Sequence, residues 1–325
     1  MEKTFKVISN KPFKVFYNGL IPRSVRKRWS YQYDDKIKQE KVASYWRKVI
    51  NQYADKKIQT YDISPVNKEL VGKKIIWQYW GQGIDDLPEM VEICFASVDN
   101  HAHDYQVIRI TDDNLSEYIK FPDFVDDKRK NEVFSRVFFS DLLRIALLSV
   151  YGGVWLDASI LLTDRLPKEY TSCDFFMYSR DPNSLNKNWG KNDTHFYFNW
   201  RNEFKVKHLN SIIFSKPNSL IAKTLTDLLL YYWKTESKIE YYFFFQVMVN
   251  ELKESKIIDF DFPIVDDTLP HLLQFNMQKQ FNEYEFKEII AQTSIHKLTI
   301  HKSFKEEYFK KPTYYGYLKG RYIKR

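Results

Sequence analysis

Two carboxylates and an arginine lie close together in one stretch of this chain. Ser140-Asp141-Leu142-Leu143-Arg144 is followed, six residues later, by Tyr151-Gly152-Gly153-Val154-Trp155-Leu156-Asp157-Ala158-Ser159. Asp141 and Arg144 stand at i and i+3, so on a helix they share a face. Such a pair can hydrogen-bond sugar hydroxyls or clamp a phosphate, and it can equally be an ordinary intrahelical ion pair. Asp157 can ligate a divalent cation, act as a base or orient a hydroxyl. Hard cations such as Mg²⁺ and Mn²⁺ take oxygen ligands, and Mg²⁺ typically binds through one or two carboxylates plus substrate phosphates.

These groups need elements that hold them. Val133, Phe134, Val137, Phe138, Ile145, Ala146 and Leu148 recur at three- and four-residue steps, which predicts a helix over 133–150 with one buried face. Gly152-Gly153 suits a left-handed helix stop. Val154-Trp155-Leu156 then reads as a buried strand, with Asp157 where it leaves the sheet, the end at which open α/β folds place their chemistry. Upstream, Lys73–Trp80 and Tyr105–Ile110 read as strands around a helix from Pro88 to Val98, with Thr111-Asp112-Asp113 as a cap for a further helix. Downstream, Phe175–Tyr178 and Ile212–Phe214 read as strands, and Asn218–Tyr232 and Tyr241–Leu252 as helices. The alternation predicts an α/β fold with a mainly parallel sheet and crossover helices. The first segment has helical periodicity to about Asp62 and is broken by Ser64-Pro65. There is no internal repeat, and one compact domain with terminal extensions is expected.

Composition narrows the class. Aromatic residues make up 17% of the 325 residues, and Gly81, Gly83, Gly152 and Gly153 are four of only nine glycines, so glycine is used locally. The two cysteines, Cys94 and Cys173, belong to no metal-type or redox-type cluster. Residues 1–10 are charged and lack the apolar core of a signal peptide. Together these favour a reducing, cytoplasmic setting. No run reaches the length of a membrane span. The net charge of +8 divides unevenly: +9 in residues 1–50, −7 in 51–301 and +6 in 302–325. Both basic ends carry aromatics: Phe13, Phe16, Tyr17, Trp29, Tyr31 and Tyr33 in front, Tyr308, Phe309, Tyr314, Tyr315, Tyr317 and Tyr322 behind. That mixture suits an anionic membrane face, where each Lys or Arg contributes roughly 1 kcal/mol. The alternative is solvated faces with aromatics packed on the core. An acidic core argues against a nucleic-acid binder.

The aromatic run Trp77-Gln78-Tyr79-Trp80-Gly81 can stack on a nucleobase or serve as core. Taken together, Ile75-Ile76-Trp77-Gln78-Tyr79-Trp80-Gly81, Ser140–Arg144 and Tyr151–Asp157 resemble the DXD sugar-transferase group, which includes the bacterial capsular polysaccharide synthesis glycosyltransferases. Ser294-Ile295-His296-Lys297-Leu298-Thr299 is similar to the C-terminal signature of the capsular family. The resemblance is strong over roughly 70–165 and diffuse beyond. It implies a GT-A (Rossmann-like) fold over 69–301, with a helical basic-aromatic N-terminal extension (1–68) and a basic-aromatic tail (302–325). It also implies a UDP-sugar donor, a Mn²⁺ or Mg²⁺ ion, and retention at the anomeric carbon. Carried over by position, Trp80 stacks on the donor base, flanked by Trp77 and Tyr79. Asp141 and Arg144 hold the donor sugar and its phosphate side, Ala158 lies against the donor, and Asp157 is the first acid of the DXD motif. Ser159 stands where many relatives have a second Asp, which leaves the metal one certain carboxylate. Asp164 is a stand-in. His296 is expected to complete the metal site, or to be a histidine satisfied in a closing loop, and Lys297 to meet the diphosphate.

Other groups carry less. His101-Ala102-His103-Asp104 has metal-type residues far from the motif, and Asp266, Asp267 and His271 are candidates to face an acceptor. No Ser-His-Asp arrangement and no Walker-type glycine loop is present. The expected function is a retaining hexosyltransferase, galactose or glucose being favoured. It would act on a lipid-diphosphate-linked saccharide and sit peripherally at the inner face of the plasma membrane. The rivals are a toxin-like protein glycosyltransferase and a degenerate transferase fold used as a scaffold.

Overall fold

The computed structural model describes residues 23–130, 134–189, 197–260 and 262–323. Phe13, Phe16, Tyr17 and Val133 lie outside the described residues, as do the side chains of Trp29 and Tyr31. The helices are α1 (Arg23–Ala54), α2 (Glu89–His101), α3 (Asp123–Arg129), α4 (Arg136–Tyr151), α5 (Lys168–Thr171), α6 (Leu220–Thr235), α7 (Phe244–Ser255), α8 (Glu283–Gln292) and α9 (Tyr314–Tyr322). The strands that matter here are β1 (Ile75–Tyr79), β2 (Gln106–Ile110), β3 (Gly153–Leu156), β4 (Ile160–Leu162), β5 (Phe175–Ser179), β6 (His208–Ser215) and β7 (Ile295–Lys297).

The main sheet has the order β2-β1-β3-β6-β5. β1 pairs in parallel with β2 and β3, whereas β6 runs antiparallel to both β3 and β5. The sheet is therefore mixed. This corrects the expectation of a mainly parallel sheet: four strands point one way, but β6 is inserted against them, so its two pairings are antiparallel. The strand period reveals which face a residue takes and says nothing about direction. β4 and β7 form a separate antiparallel pair in the register Ile160↔Lys297, Leu161↔His296 and Leu162↔Ile295.

The α4 helix starts at Arg136, and Val137 is 53% exposed. From Asp141 to Tyr151 every residue is buried, because α6 packs along it, so one buried face became burial all round. Gly152 ends the helix at φ 73°, ψ −164°, and its N–H donates to Leu148 O. That is positive φ without the left-handed helical ψ. A Cβ on Gly152 would sit 2.6 Å from Pro217, and one on Gly153 (φ 99°) would sit 2.5 Å from Ile75 O. Gly152 thus leaves room for the Lys216-Pro217 backbone, and Gly153 lets β3 approach β1 closely.

The α1 helix packs on α7, with Ala43, Trp46 and Ile50 fully buried in the main core. Thr111 does not cap a long helix: it exchanges bonds with Asn114 ahead of a single turn at Leu115–Glu117. A second buried cluster joins α2, β4, α8 and α9, and takes in Tyr314, Tyr315 and Tyr322. Tyr317 stacks on Phe281 at 3.8 Å, while Phe309 is 97% exposed. Most aromatics of the basic C-terminal tail are therefore core. No helix among the described residues is long and apolar enough to cross a membrane.

Candidate active site

The chain order changes direction at β1. β2 pairs on one side of it and β3 on the other, so a crevice opens between the carboxyl ends of β1 and β3. A cavity of about 570 Å³ occupies it, bounded by Tyr79, Trp80, Arg136, Ser140, Arg144 and Asp157 on one side. Ala158, Ser159, Lys297, Thr299 and His301 border it as well, as do Tyr242, His271 and Gln274.

Asp157 follows β3 directly, and its N–H donates to Ser211 O at 2.9 Å. Its Oδ1 accepts from Trp155 Nε1 at 2.8 Å and lies 3.5 Å from Arg144 Nη2. Its Oδ2 accepts from Lys297 Nζ at 3.2 Å. Burial alone would raise this carboxyl, but Arg144 and Lys297 overcome it and hold the acid below its usual range. Lys297 also donates to Ser159 Oγ at 2.6 Å. It arrives there because β7 pairs with β4, which sets Lys297 opposite Ile160, next to the Asp157–Ser159 turn.

Arg144 is buried in α4. Its Nε donates to Ser140 O (3.0 Å), Nη2 to Ser140 Oγ (2.8 Å) and Nη1 to Asn210 O (2.5 Å). Asp141 Oδ1 lies 3.4 Å from Nη2 and accepts from Asn210 Nδ2 at 2.8 Å. Burial pushes the Asp141 carboxyl up to about 6, against the pull of Arg144 and Asn210. Asp141 does not border the cavity. It stands behind Arg144 and fixes the guanidinium, which reaches Asp157 in turn.

The other expected residues divide. Trp80 borders the cavity, half-buried against Val91, Phe95 and Ala158. Tyr79 reaches the cavity while its hydroxyl donates to Asp112 at 2.6 Å. Trp77 is fully buried, donates to Gly152 O at 2.9 Å and packs on Tyr118 and Tyr151, so it is not brought to the donor cavity. Along a strand, neighbouring side chains take opposite faces. By that alternation Lys297 meets the site and His296 turns away: its Nε2 lies 3.0 Å from Thr163 Oγ1, and burial lowers its pKa to about 3. Asp164, too, is absent from the cavity wall; it lies with His101 and His103, their ligand atoms within 4.8 Å of one another, while Asp104 pairs with Lys74. His271 does face the cavity, its Nδ1 2.9 Å from Asp267 O, whereas Asp267 is buried against Arg180.

Arg136, Ser140 and Arg144 all border the cavity at four-residue steps on α4. That periodicity is enough to find Arg136. Tyr242 and His301 come from loops and Gln274 from a single 3-10 turn (Gln274–Asn276), and none carries a local signal.

The donor set can be tested against the divalent ion that the resemblance implies. Among the described residues bordering the cavity, Asp157 is the one acid. Both of its oxygens are engaged, and Ser159 is engaged by the same ammonium. A doubly charged ion about 4 Å from that ammonium meets roughly 8 kcal/mol of repulsion at an effective dielectric of about 20, about half of the attraction that one carboxylate gives at a ligand distance of about 2.1 Å. With His296 turned away, these residues do not fit a divalent ion.

Comparison with known proteins bears on the whole chain. Residues 26–318 match the model of a family described as capsular polysaccharide synthesis protein. The chain belongs to that family. As a member it is a glycosyltransferase, with a sugar donor and an acceptor as substrates. No curated protein matches. Among solved structures, one titled "PaToxG Glycosyltransferase" aligns at 15% identity over 80% of this chain and 95% of that chain, with a TM-score of 0.33. At that level of similarity nothing about fold detail or activity transfers.

Proposed function

We propose that this glycosyltransferase moves a hexose, galactose or glucose, from a UDP-sugar to a lipid-diphosphate-linked saccharide with retention of configuration. The observation that carries this reading is the convergence of Asp157, Arg144 and Lys297 in one cavity at the carboxyl ends of β1 and β3. Trp80 offers a partly exposed indole for the nucleobase, a contact worth about 1–3 kcal/mol. Arg136, Arg144 and Lys297 supply positive charge where the diphosphate leaves. Ser140 and the 158–159 backbone border the sugar position. The acceptor enters past Tyr242, His271 and Gln274, which also border the cavity.

The glycosidic C–O bond to the β-phosphate breaks with its electron pair passing to the phosphate oxygen. The acceptor hydroxyl oxygen bonds to the anomeric carbon, and its proton leaves with the phosphate. The reaction runs at the inner face of the plasma membrane, where an acceptor on a lipid diphosphate is found. Support for that surface is the basic charge of the two termini rather than the aromatics of the C-terminal tail, since Tyr314, Tyr315 and Tyr322 are buried.

A screen of UDP-, GDP- and ADP-sugars for hydrolysis by the purified protein tests the donor. Release of UDP from UDP-galactose or UDP-glucose is expected. Hydrolysis of none, together with no UDP binding by calorimetry, refutes the reading and leaves a scaffold. Co-sedimentation with phosphatidylglycerol vesicles, absent with phosphatidylcholine vesicles, checks the membrane surface.

A further inference from the structure

The second position of the DXD motif is Ser159, and the space between it and Asp157 is filled by Lys297. We propose that the Lys297 ammonium takes the place of the divalent cation, so that the donor is bound and its diphosphate released without a metal. This inference rests on the proposed nucleotide-sugar donor.

Three observations carry it. First, Nζ bridges Asp157 Oδ2 at 3.2 Å and Ser159 Oγ at 2.6 Å, the two side chains that would have ligated the ion. An ammonium has three N–H donors, and two are used there, which leaves one for a phosphate oxygen. Second, Lys297 is held by strand pairing rather than by a loop: Ile160↔Lys297 is a register pair of β4 and β7, and Leu298 N–H donates to Ser159 O at 2.9 Å. Backbone bonds on either side of the motif thus place the ammonium, and its side chain stays 24% exposed toward the cavity.

Third, fixed cations already line the cavity: Arg136 pairs with Asp112, Arg144 lies between Asp141 and Asp157, and Lys297 shares Asp157 with Arg144. Of these, Lys297 is the one that also holds the hydroxyl at the second acid position. A second aspartate at position 159 would call for a metal; a serine bonded to a lysine does not. The hydroxyl and the ammonium that bonds it come from positions 138 residues apart.

The test is calorimetric titration of the full chain with UDP, in EDTA and in Mn²⁺. Wild type is expected to bind UDP equally well in both, within about threefold. Electron paramagnetic resonance of Mn²⁺ should show the free aquo-ion spectrum unchanged when the protein is added without nucleotide, and a rise of that aquo-ion signal when the protein is added to Mn²⁺ with UDP. Lys297→Ala should lose at least about tenfold in UDP affinity in either buffer, and Lys297→Arg should recover most of it. A tenfold or greater loss of wild-type affinity in EDTA overturns the inference, as does a Lys297→Ala protein that binds as wild type does. The wild-type comparison stands even if the alanine variant does not fold. No UDP binding by wild type in either buffer is a different failure, that of the donor reading itself.

Discussion

Replacing Arg144 by methionine removes a buried guanidinium from between two carboxylates. In the native protein Arg144 lies 3.4 Å from Asp141 and 3.5 Å from Asp157, and it donates to Ser140 and Asn210. Removing one partner of a buried ionic cluster typically costs about 3–5 kcal/mol, because the remaining charge has neither water nor a counter-ion. The loss should depend on pH in a direction set by Asp141. Burial already raises its carboxyl from 3.8 to about 6 while Arg144 opposes the rise, so without Arg144 it titrates higher still. An acid with a raised folded-state pKa binds more protons folded than unfolded, and stability falls as pH rises between the two values. For wild type that window closes near pH 6; for the variant it extends further up. The two proteins should therefore diverge above pH 6. At pH 5 Asp141 is protonated in both, and the variant loses the Arg144 hydrogen bonds, at about 1 kcal/mol each, together with the attraction to the ionised Asp157, a loss that is the same at pH 8. Urea denaturation of both proteins at pH 5, 6, 7 and 8 measures this. A stability loss equal at pH 5 and pH 8 would refute the assignment of Asp141 as the group that Arg144 holds. An Asp141→Asn background should shrink the Arg144→Met loss at pH 8, since the uncompensated charge is gone.

Further outcomes follow from the same geometry. Trp80→Ala should weaken UDP binding by about 1–3 kcal/mol with little change in melting temperature, whereas Trp77→Ala should lower the melting temperature first, because Trp77 is core; calorimetry and thermal melts on both variants separate the roles. Gly153→Ala forces a Cβ to 2.5 Å from Ile75 O at φ 99° and should cost at least about 1–3 kcal/mol, read as a lower urea midpoint; an unchanged midpoint would mean that β3 can move away from β1. His296→Gln should leave UDP affinity within about threefold, and a loss of about tenfold or more would return His296 to the donor site.

Much of the site is legible in the amino-acid sequence. The stretch from Ser140 to Ser159 announces a helix, a glycine stop, a buried strand and an acid at its end, because side-chain period and glycine placement are local properties that short windows record. The i, i+4, i+8 row of Arg136, Ser140 and Arg144 is equally local and lies along a single helix face. How exposed each group is cannot be read in the same way. Trp77 and Trp80 differ by three positions and by nothing in chemistry, yet one is sealed under Tyr118 and Tyr151 and the other borders the cavity. His296 and Lys297 are adjacent, and only their pairing with β4 decides which of them reaches Asp157.

By itself the sequence determined the element types around the motif, the helix stop at Gly152-Gly153, and the acid, arginine and lysine available for a phosphorylated donor. Tertiary structure alone decided that the sheet is mixed, that Asp141 lies against Arg144 and off the cavity wall, and that Lys297 bonds both Asp157 and Ser159. The physical reason is range. Periodicity and turn chemistry act over a few residues, while strand direction, burial and the pairing of charges 138 positions apart are set by contacts that form only when the whole chain packs.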